Sequence, residues 1–428
     1  MKKTVAKACA AALAGAVSVV LVLAAAACRS NSDDDDDGTD SNNSSDSVSL
    51  PADYIRGFDV SAVDYWEQDY APNTDGADAA WYDTDGTKKD FFAILAAHGV
   101  NTARIRVWVD PENAPVTDSW WPASTDWHAG DNTTARAVSM AKRAKAAGLK
   151  VMLDFHYSDY WTDPGKQVIP HEWQSITTAD AMAEKLAAYT TEVLTALKAA
   201  DATPAYVQVG NEIDSGILLH TKYPVSNAAS GIIGTRGSAA FNKYLAAGCK
   251  AVRDFDSSIK IILHITNRKP VEFMPALNAA TSDYDIIGLS YYPWEKDHST
   301  IASLKSNIEK LKVTYNKSVI VAEISAHYSS DGSANSDLVQ SAAHLLDPAT
   351  GAIYSDLTTE TVSGAVQLQG TVANQTNTFR HVIEESLAAG ASGIVAWGGE
   401  RRADWKYAFF DWEGKAFSSL DIFAINGK

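Results

Sequence analysis

Two glutamates each close a short β-branched run: Ala205–Glu212 reads AYVQVGNE and Ser318–Glu323 reads SVIVAE. Apolar runs of this length, uncharged until their last residues, have the pattern of buried strands. In a closed parallel barrel every strand ends on the same face, so both carboxylates would enter one mouth. Two facing carboxyl groups can divide the work of breaking an acetal, one protonating the departing oxygen while the other attacks or activates water. An acid after a buried strand is also an ordinary helix cap or a solvated loop residue. Asn211 beside Glu212, and aromatic residues at other strand ends, argue for chemistry.

The elements that must position them alternate along the chain. Strand-like runs lie at 57–63, 102–109, 150–156, 205–210, 260–265, 285–292, 318–324 and 392–397. Helical periodicity fills the gaps at 88–98, 134–147, 179–200, 238–256, 271–280, 301–315 and 376–389. Eight alternations with tight turns such as His98-Gly99-Val100 predict an α/β fold, a (β/α)8 TIM barrel. A doubly wound open sheet would normally carry a Gly-rich phosphate loop after an early strand, and the sequence has none. On the barrel reading the rim holds Asp59, Arg104 with Arg106, His156 and Asp159, Asn211 with Glu212, Tyr291 and Tyr292, Glu323 and Trp397.

The runs GFDVSAV, DGTKKDFFAILAAHGVNTARIRVWVDP, GLKVMLDFHYSDYWTDPGKQ, VQVGNEIDSGIL, IIGLSYYPW, VIVAEIS and WEGKAFSSLDIF span nearly the whole domain. In order and spacing the set resembles glycoside hydrolase family 53, the endo-β-1,4-galactanases. The resemblance implies a retaining mechanism, with Glu212 as general acid/base and Glu323 as nucleophile, their carboxyls about 5–5.5 Å apart. It implies that Asn211 donates to the sugar 2-hydroxyl, although an Asn here could instead cap the next helix. Arg104, and after it Arg106, would keep Glu323 ionised by a charge-assisted hydrogen bond. His156, Tyr291 or Tyr292, and Trp397 would complete the wall, with Trp397 under the sugar next to the cleavage point. Asp59 and Asp159 stand at the rim, and the polar and aromatic loop 158–167 would line the cleft.

Two stretches depart from that pattern. The loop 110–131 carries Trp120, Trp121 and Trp127, which would either add a distal subsite or pack the loop down. After the seventh strand Ser325-Ala326-His327-Tyr328 stands where the family has an aromatic residue, and a long segment follows to about Gln375. Some bacterial members of the family hold a structural calcium in that segment. Asp331, Asn335 and Asp337 supply oxygens for one without matching a twelve-residue calcium loop, and solvated loop carboxylates are the alternative. The chemistry itself requires no cofactor or metal, and His156 lacks metal-ligand spacing.

Residues 1–28 read as a targeting signal, with Lys2, Lys3 and Lys7 before an Ala-rich apolar run that stops at Cys28. The run resembles a bacterial lipoprotein signal, with Ala25 where such signals usually have Leu. Cys28 would then be lipidated, and plain secretory cleavage after Ala27 is the alternative. Residues 29–50 are an acidic Ser/Asn/Asp tract expected to be a disordered tether, leaving 51–428 as one catalytic domain. The formal charge of −17 makes nucleic acid an improbable partner. Cys249, alone in the domain, reads as a small buried hydrophobe.

The resemblance implies an endo-galactanase acting on β-1,4-galactan chains of pectic arabinogalactan; the signal-like start places it outside the cytoplasm, and a monomer is expected. It would touch a membrane only through its lipid anchor. A β-1,4-mannanase or glucanase on the same barrel shares both glutamates. A surface glycan-binding lipoprotein is the alternative from another class, although a binder has no use for an acid and a nucleophile together.

Overall fold

The computed structural model describes residues 49–70, 80–113, 132–219, 229–294, 300–329, 341–362, 364–403 and 406–424. The signal with Cys28, nearly all of the tether, the Trp120/Trp121/Trp127 stretch, and Asp331, Asn335 and Asp337 lie outside them.

Eight parallel strands close a barrel: β1 (Ile55–Asp59), β2 (Thr102–Val107), β3 (Lys150–Phe155), β4 (Tyr206–Val209), β5 (Lys260–Thr266), β6 (Ile286–Ser290), β7 (Ser318–Ile324) and β8 (Gly393–Ala396). Each pairs with its sequence neighbours, and β1 closes the ring on β8 and β2. The connecting helices are α1 (Phe91–Ala97), α2 (Thr134–Ala146), α3 (Ala179–Ala199), α4 (Ala239–Phe255), α5 (Pro270–Ala280), α6 (Ile301–Tyr315) and α7 (Val372–Ala388). The predicted (β/α)8 barrel is the fold found.

Local chemistry sets the helix starts. Asp90, Thr133, Thr178, Ser238, Thr300 and Thr371 each accept a backbone N–H of the first turn, satisfying donors that the helix cannot. Several boundaries differ from the sequence reading; the last helix starts at Val372 and not at 376, and the sixth strand ends at Ser290 and not at 292. Lys88 and Lys89 pair with Trp81 and Tyr82 in a small antiparallel hairpin, so α1 begins only after Asp90. The first strand occupies 55–59 and not 57–63, because the chain turns at Val60 and enters a short helix at Val63. Leu50, read as the last tether residue, is buried in the core.

Two apolar layers hold the barrel. Between strands and helices lies the main core, which includes Cys249; inside the barrel a smaller cluster comprises Ile55, Met152, Tyr206, Ile262, Ile286, Ile320, Ala322 and Val395. Toward the strand C-termini the interior turns polar at Asp59, Arg104, Asp154, Gln208, His264 and Ser290, all buried and hydrogen-bonded to one another. Buried polar groups are tolerable only when so paired.

Candidate active site

Strict alternation would point Glu323 away from the barrel axis, because Ile320 and Ala322 face inward. A bulge prevents this. Leu289 pairs with Val321, but Ser290 pairs with Glu323, and the shift recurs on the β8 side between Ile394 and Ala396. One extra residue in β7 therefore turns Glu323 inward, where it is 5 % exposed.

The end of β4 is contorted to a similar effect. Gly210 sits at φ 86°, and a Cβ there would come within 2.6 Å of Ile213 Cγ2, so only glycine fits. Two residues later Glu212 takes φ 45°, the left-handed region that costs a non-glycine residue about 1–2 kcal/mol. Such strain persists only where the surroundings impose it, and it marks functional turns.

Arg104, 1 % exposed, ties these two corners together. Its guanidinium reaches Glu323 Oε1 at 2.7 Å, Asp154 Oδ2 at 2.8 Å, Asp59 Oδ2 at 3.0 Å and Asn211 Oδ1 at 3.0 Å, and its Nε donates to Gln208 Oε1 at 3.3 Å. The second oxygen of Glu323 accepts from Tyr292 Oη. Burial pushes the Glu323 carboxyl above its ordinary range, and Arg104 and Tyr292 pull against that push. Asp154 is equally buried, yet Arg104 and His156 hold it down at about 2. His156 Nδ1 accepts the Thr162 N–H at 2.9 Å, which leaves its Nε2–H to donate to Asp154 at 3.2 Å. Burial keeps that imidazole below the usual histidine range, so the ring is neutral.

Rings extend the site along the rim. Trp161 lies 3.7 Å from the Arg106 guanidinium and contacts Trp397 at 6.0 Å, and Trp397 contacts Tyr292 at 5.8 Å. A carboxyl group after β4 and another on β7, a guanidinium that joins Glu323 to Asn211, and an aromatic rim are parts that suit sugar hydrolysis. The family model that matches, over residues 55–428, is Glycosyl hydrolase family 53. The chain belongs to that family.

The family 53 chain is 32 % identical over 283 residues to an endo-beta-1,4-galactanase of Bacillus subtilis, covering 65 % of this chain and 58 % of the relative. It is 36 % identical over 250 residues to an arabinogalactan endo-beta-1,4-galactanase of Cellvibrio japonicus, covering 57 % and 60 %. The chain thus spans less than two thirds of the length of either relative. Among solved structures it resembles the GH53 catalytic domain of Ignisphaera aggregans, with a TM-score of 0.69, 27 % identity, and coverage of 89 % of this chain and 98 % of that one.

In this family 53 barrel the rim residues expected from sequence divide into three groups. Glu323, Arg104, Asn211, Tyr292 and His156 are joined by the contacts above, directly or through Asp154, and Glu212, 8 % exposed, directly follows Asn211 in the chain. Asp59 and Arg106 form an inner support: Asp59 takes Arg104 and the Ser61 N–H, and Arg106 faces Asp59 at 3.7 Å and Trp161, with no contact to Glu323 among the described residues. Tyr291 and Asp159 stand apart. Tyr291 is fully buried in the core and donates to the His344 carbonyl, because alternation sends it outward when Tyr292 faces the mouth.

Asp159 ties loops together, accepting from Asp110 N at 3.0 Å and His171 N at 2.6 Å. Burial raises its carboxyl to about 7. A raised acid contributes most stability below the unfolded value of 3.8 and loses it as pH rises toward 7. Asp159→Asn, which loses one acceptor at every pH, should therefore be less stable than wild type at pH 5. The gap should narrow by a few degrees of Tm at pH 8. Thermal melts at the two values check this, and a constant gap would mean the carboxyl is ionised throughout.

Four supporting groups had no individual role in the sequence reading, two of them, Gln208 and His264, being missed altogether. Gln208 bridges Asp154 Oδ1 at 2.5 Å and His264 Nδ1 at 2.9 Å; His264 also meets Ser290 Oγ at 2.8 Å; Asp154 anchors Arg104; and Gln167 Nε2 donates to the Asn211 carbonyl at 2.8 Å. A polar residue inside an otherwise apolar strand run is the signal that Gln208 and His264 carried.

Proposed function

We propose that this chain is a retaining endo-β-1,4-galactanase that hydrolyses β-1,4-galactan, such as the side chains of pectic arabinogalactan, by double displacement. The observation that carries the reading is the grip on Glu323. A bulge turns it into the mouth, Arg104 and Tyr292 hold its two oxygens, and the same guanidinium holds Asn211 beside Glu212. The names of the relatives supply the substrate class.

In the first step a Glu323 carboxylate oxygen bonds to the anomeric carbon. The bond to the leaving sugar breaks, and its oxygen takes the proton of Glu212. In the second, Glu212 accepts a proton from water, whose oxygen displaces Glu323 and releases the product with its configuration retained. Asn211 spends one amide hydrogen on the Thr162 carbonyl at 2.7 Å, leaving the other for the sugar 2-hydroxyl. Trp397, half-buried at the end of β8, offers its face to the adjacent sugar. The basic head and apolar run ending at Cys28 support a place outside the cytoplasm on a lipid anchor.

Product analysis tests the function. The full chain is incubated separately with linear β-1,4-galactan, β-1,4-mannan and a soluble β-1,4-glucan. Short galacto-oligosaccharides from galactan alone are expected. Turnover of mannan or glucan instead would keep the two glutamates and overturn the substrate, and silence on all three would favour a glycan binder.

A further inference from the structure

We propose that Trp161, Trp397 and Tyr407 form an inclined track of sugar platforms, and that Tyr407 is a specificity-determining ring for the unit beside the one on Trp397. The inference rests on the galactanase reading and adds the geometry by which the chain would be told from flatter polymers.

All three rings are half-buried, and Trp397 touches both of the others. Trp397 stands in the middle, 6.0 Å from Trp161 and 5.6 Å from Tyr407, spacings close to one pyranose unit. Each outer ring has a backing. Trp161 rests on the Arg106 guanidinium at 3.7 Å, a cation–π contact that fixes its plane. Tyr407 packs against Trp294 at 6.0 Å, with planes only 3° apart, and against His327 at 6.3 Å. Trp294 is in turn pinned by its Nε1–H, which donates to Ser325 Oγ at 3.1 Å, and Gln375 Nε2 donates to the Tyr407 carbonyl at 3.3 Å. Burial, and after it Lys406, lowers the His327 imidazole to about 3, so the backing stays uncharged at ordinary pH. The wall is continuous with the chemistry, since Tyr292 lies 4.8 Å from Trp294 and donates to Glu323.

The planes decide which chain fits. Trp397 is tilted 35° from Tyr407 and 73° from Trp161, so no two neighbouring platforms are coplanar. A 1,4-linked β-glucan or β-mannan leaves each ring through an equatorial oxygen and runs as a flat ribbon, which would match coplanar platforms. Galactose is linked through an axial oxygen at C4, so successive units turn away from a common plane. The same axial group gathers the C3, C4 and C5 hydrogens on one face, giving each unit a single apolar patch to stack on an aromatic ring. Inclined rings suit inclined patches.

The test compares kcat/KM on β-1,4-galacto-oligosaccharides of two to six units for wild type, Tyr407→Phe and Tyr407→Ala. Loss of one stacking platform should cost Tyr407→Ala roughly three- to tenfold on the longest substrates. It should cost little on the shortest one cleaved, and Tyr407→Phe, which keeps the flat ring, should keep the wild-type dependence on substrate length. Should Tyr407→Ala fail to fold, Tyr407→Leu keeps bulk against Trp294 and His327 without the flat ring and gives the same comparison. An equal loss at every length, or none, overturns the track while leaving the galactanase reading intact. A wild type that cleaves none of these substrates overturns both.

Discussion

Glu323→Gln is expected to lower kcat by roughly 10⁵–10⁶-fold, the scale on which a covalent nucleophile is lost, while the fold and galactan binding survive. The variant is nearly isosteric: its amide oxygen can still accept from Arg104, and its amide N–H can donate to Tyr292 Oη. Its effect on stability separates catalysis from structure. Asp59, Asp154 and Glu323 are buried against Arg104 and Arg106, three acids facing two bases. Burial already pushes Glu323 toward its neutral form, so a neutral amide relieves the cluster and Tm should stay level or rise. A second variant identifies the face of attack. With Glu323→Gly and an aryl β-galactoside, azide should enter from the vacated side and yield the α-galactosyl azide. Full turnover by Glu323→Gln would sink the assignment of the nucleophile.

The sequence made the barrel plain because most strands are short apolar runs and six of the seven connecting helices begin at a Ser, Thr or Asp that caps them, α5 starting instead at Lys269 with Pro270 in its first turn. The two glutamates were equally plain, since each ends such a run. Their inward aim was not. Glu323 turns inward through a bulge that pairs Ser290 with Glu323, and a one-residue slip in a β-ladder leaves no mark in the hydrophobic pattern. The choice between Tyr291 and Tyr292 depends on the same kind of information. Adjacent residues at a strand end face opposite ways, and only the register shows which one reaches Glu323.

Support residues were hidden for another reason. Asp154, Gln208 and His264 come from three strands that are neighbours in the barrel and more than fifty residues apart in sequence. Each is polar in an apolar run, which a helix cap or a strand end can also produce. Only closure of the ring shows that they share one layer beneath the mouth. Asp159 is the converse case, a rim acid by position that the fold uses to fasten two loops.

Arg104→Met should be the most damaging single change to both stability and activity. It strands Asp59, Asp154 and Glu323 in the interior, with Arg106 at 3.7 Å from Asp59 as the remaining guanidinium near them. Breaking a buried ion network by removing one partner costs about 3–5 kcal/mol. The pH dependence gives the sign. Asp154 lies at about 2 in the folded chain against an ordinary 3.8, so the stability it contributes is present above 3.8 and lost as pH falls toward 2. The deficit of Arg104→Met should therefore be largest at neutral pH and shrink as pH falls from 4 toward 2, which denaturant unfolding across that range would measure. Activity should fall by at least 10²–10³-fold, the usual cost of one preorganised donor at a site of developing charge. Arg104→Lys should recover little of it. An ammonium is a point charge on a flexible stem, whereas one planar guanidinium here serves Glu323, Asp154, Asp59, Asn211 and Gln208 together. A lysine variant with wild-type kcat would show that Glu323 needs only a nearby positive charge, and the coupling of Asn211 to Glu323 through one rigid group would have to be given up.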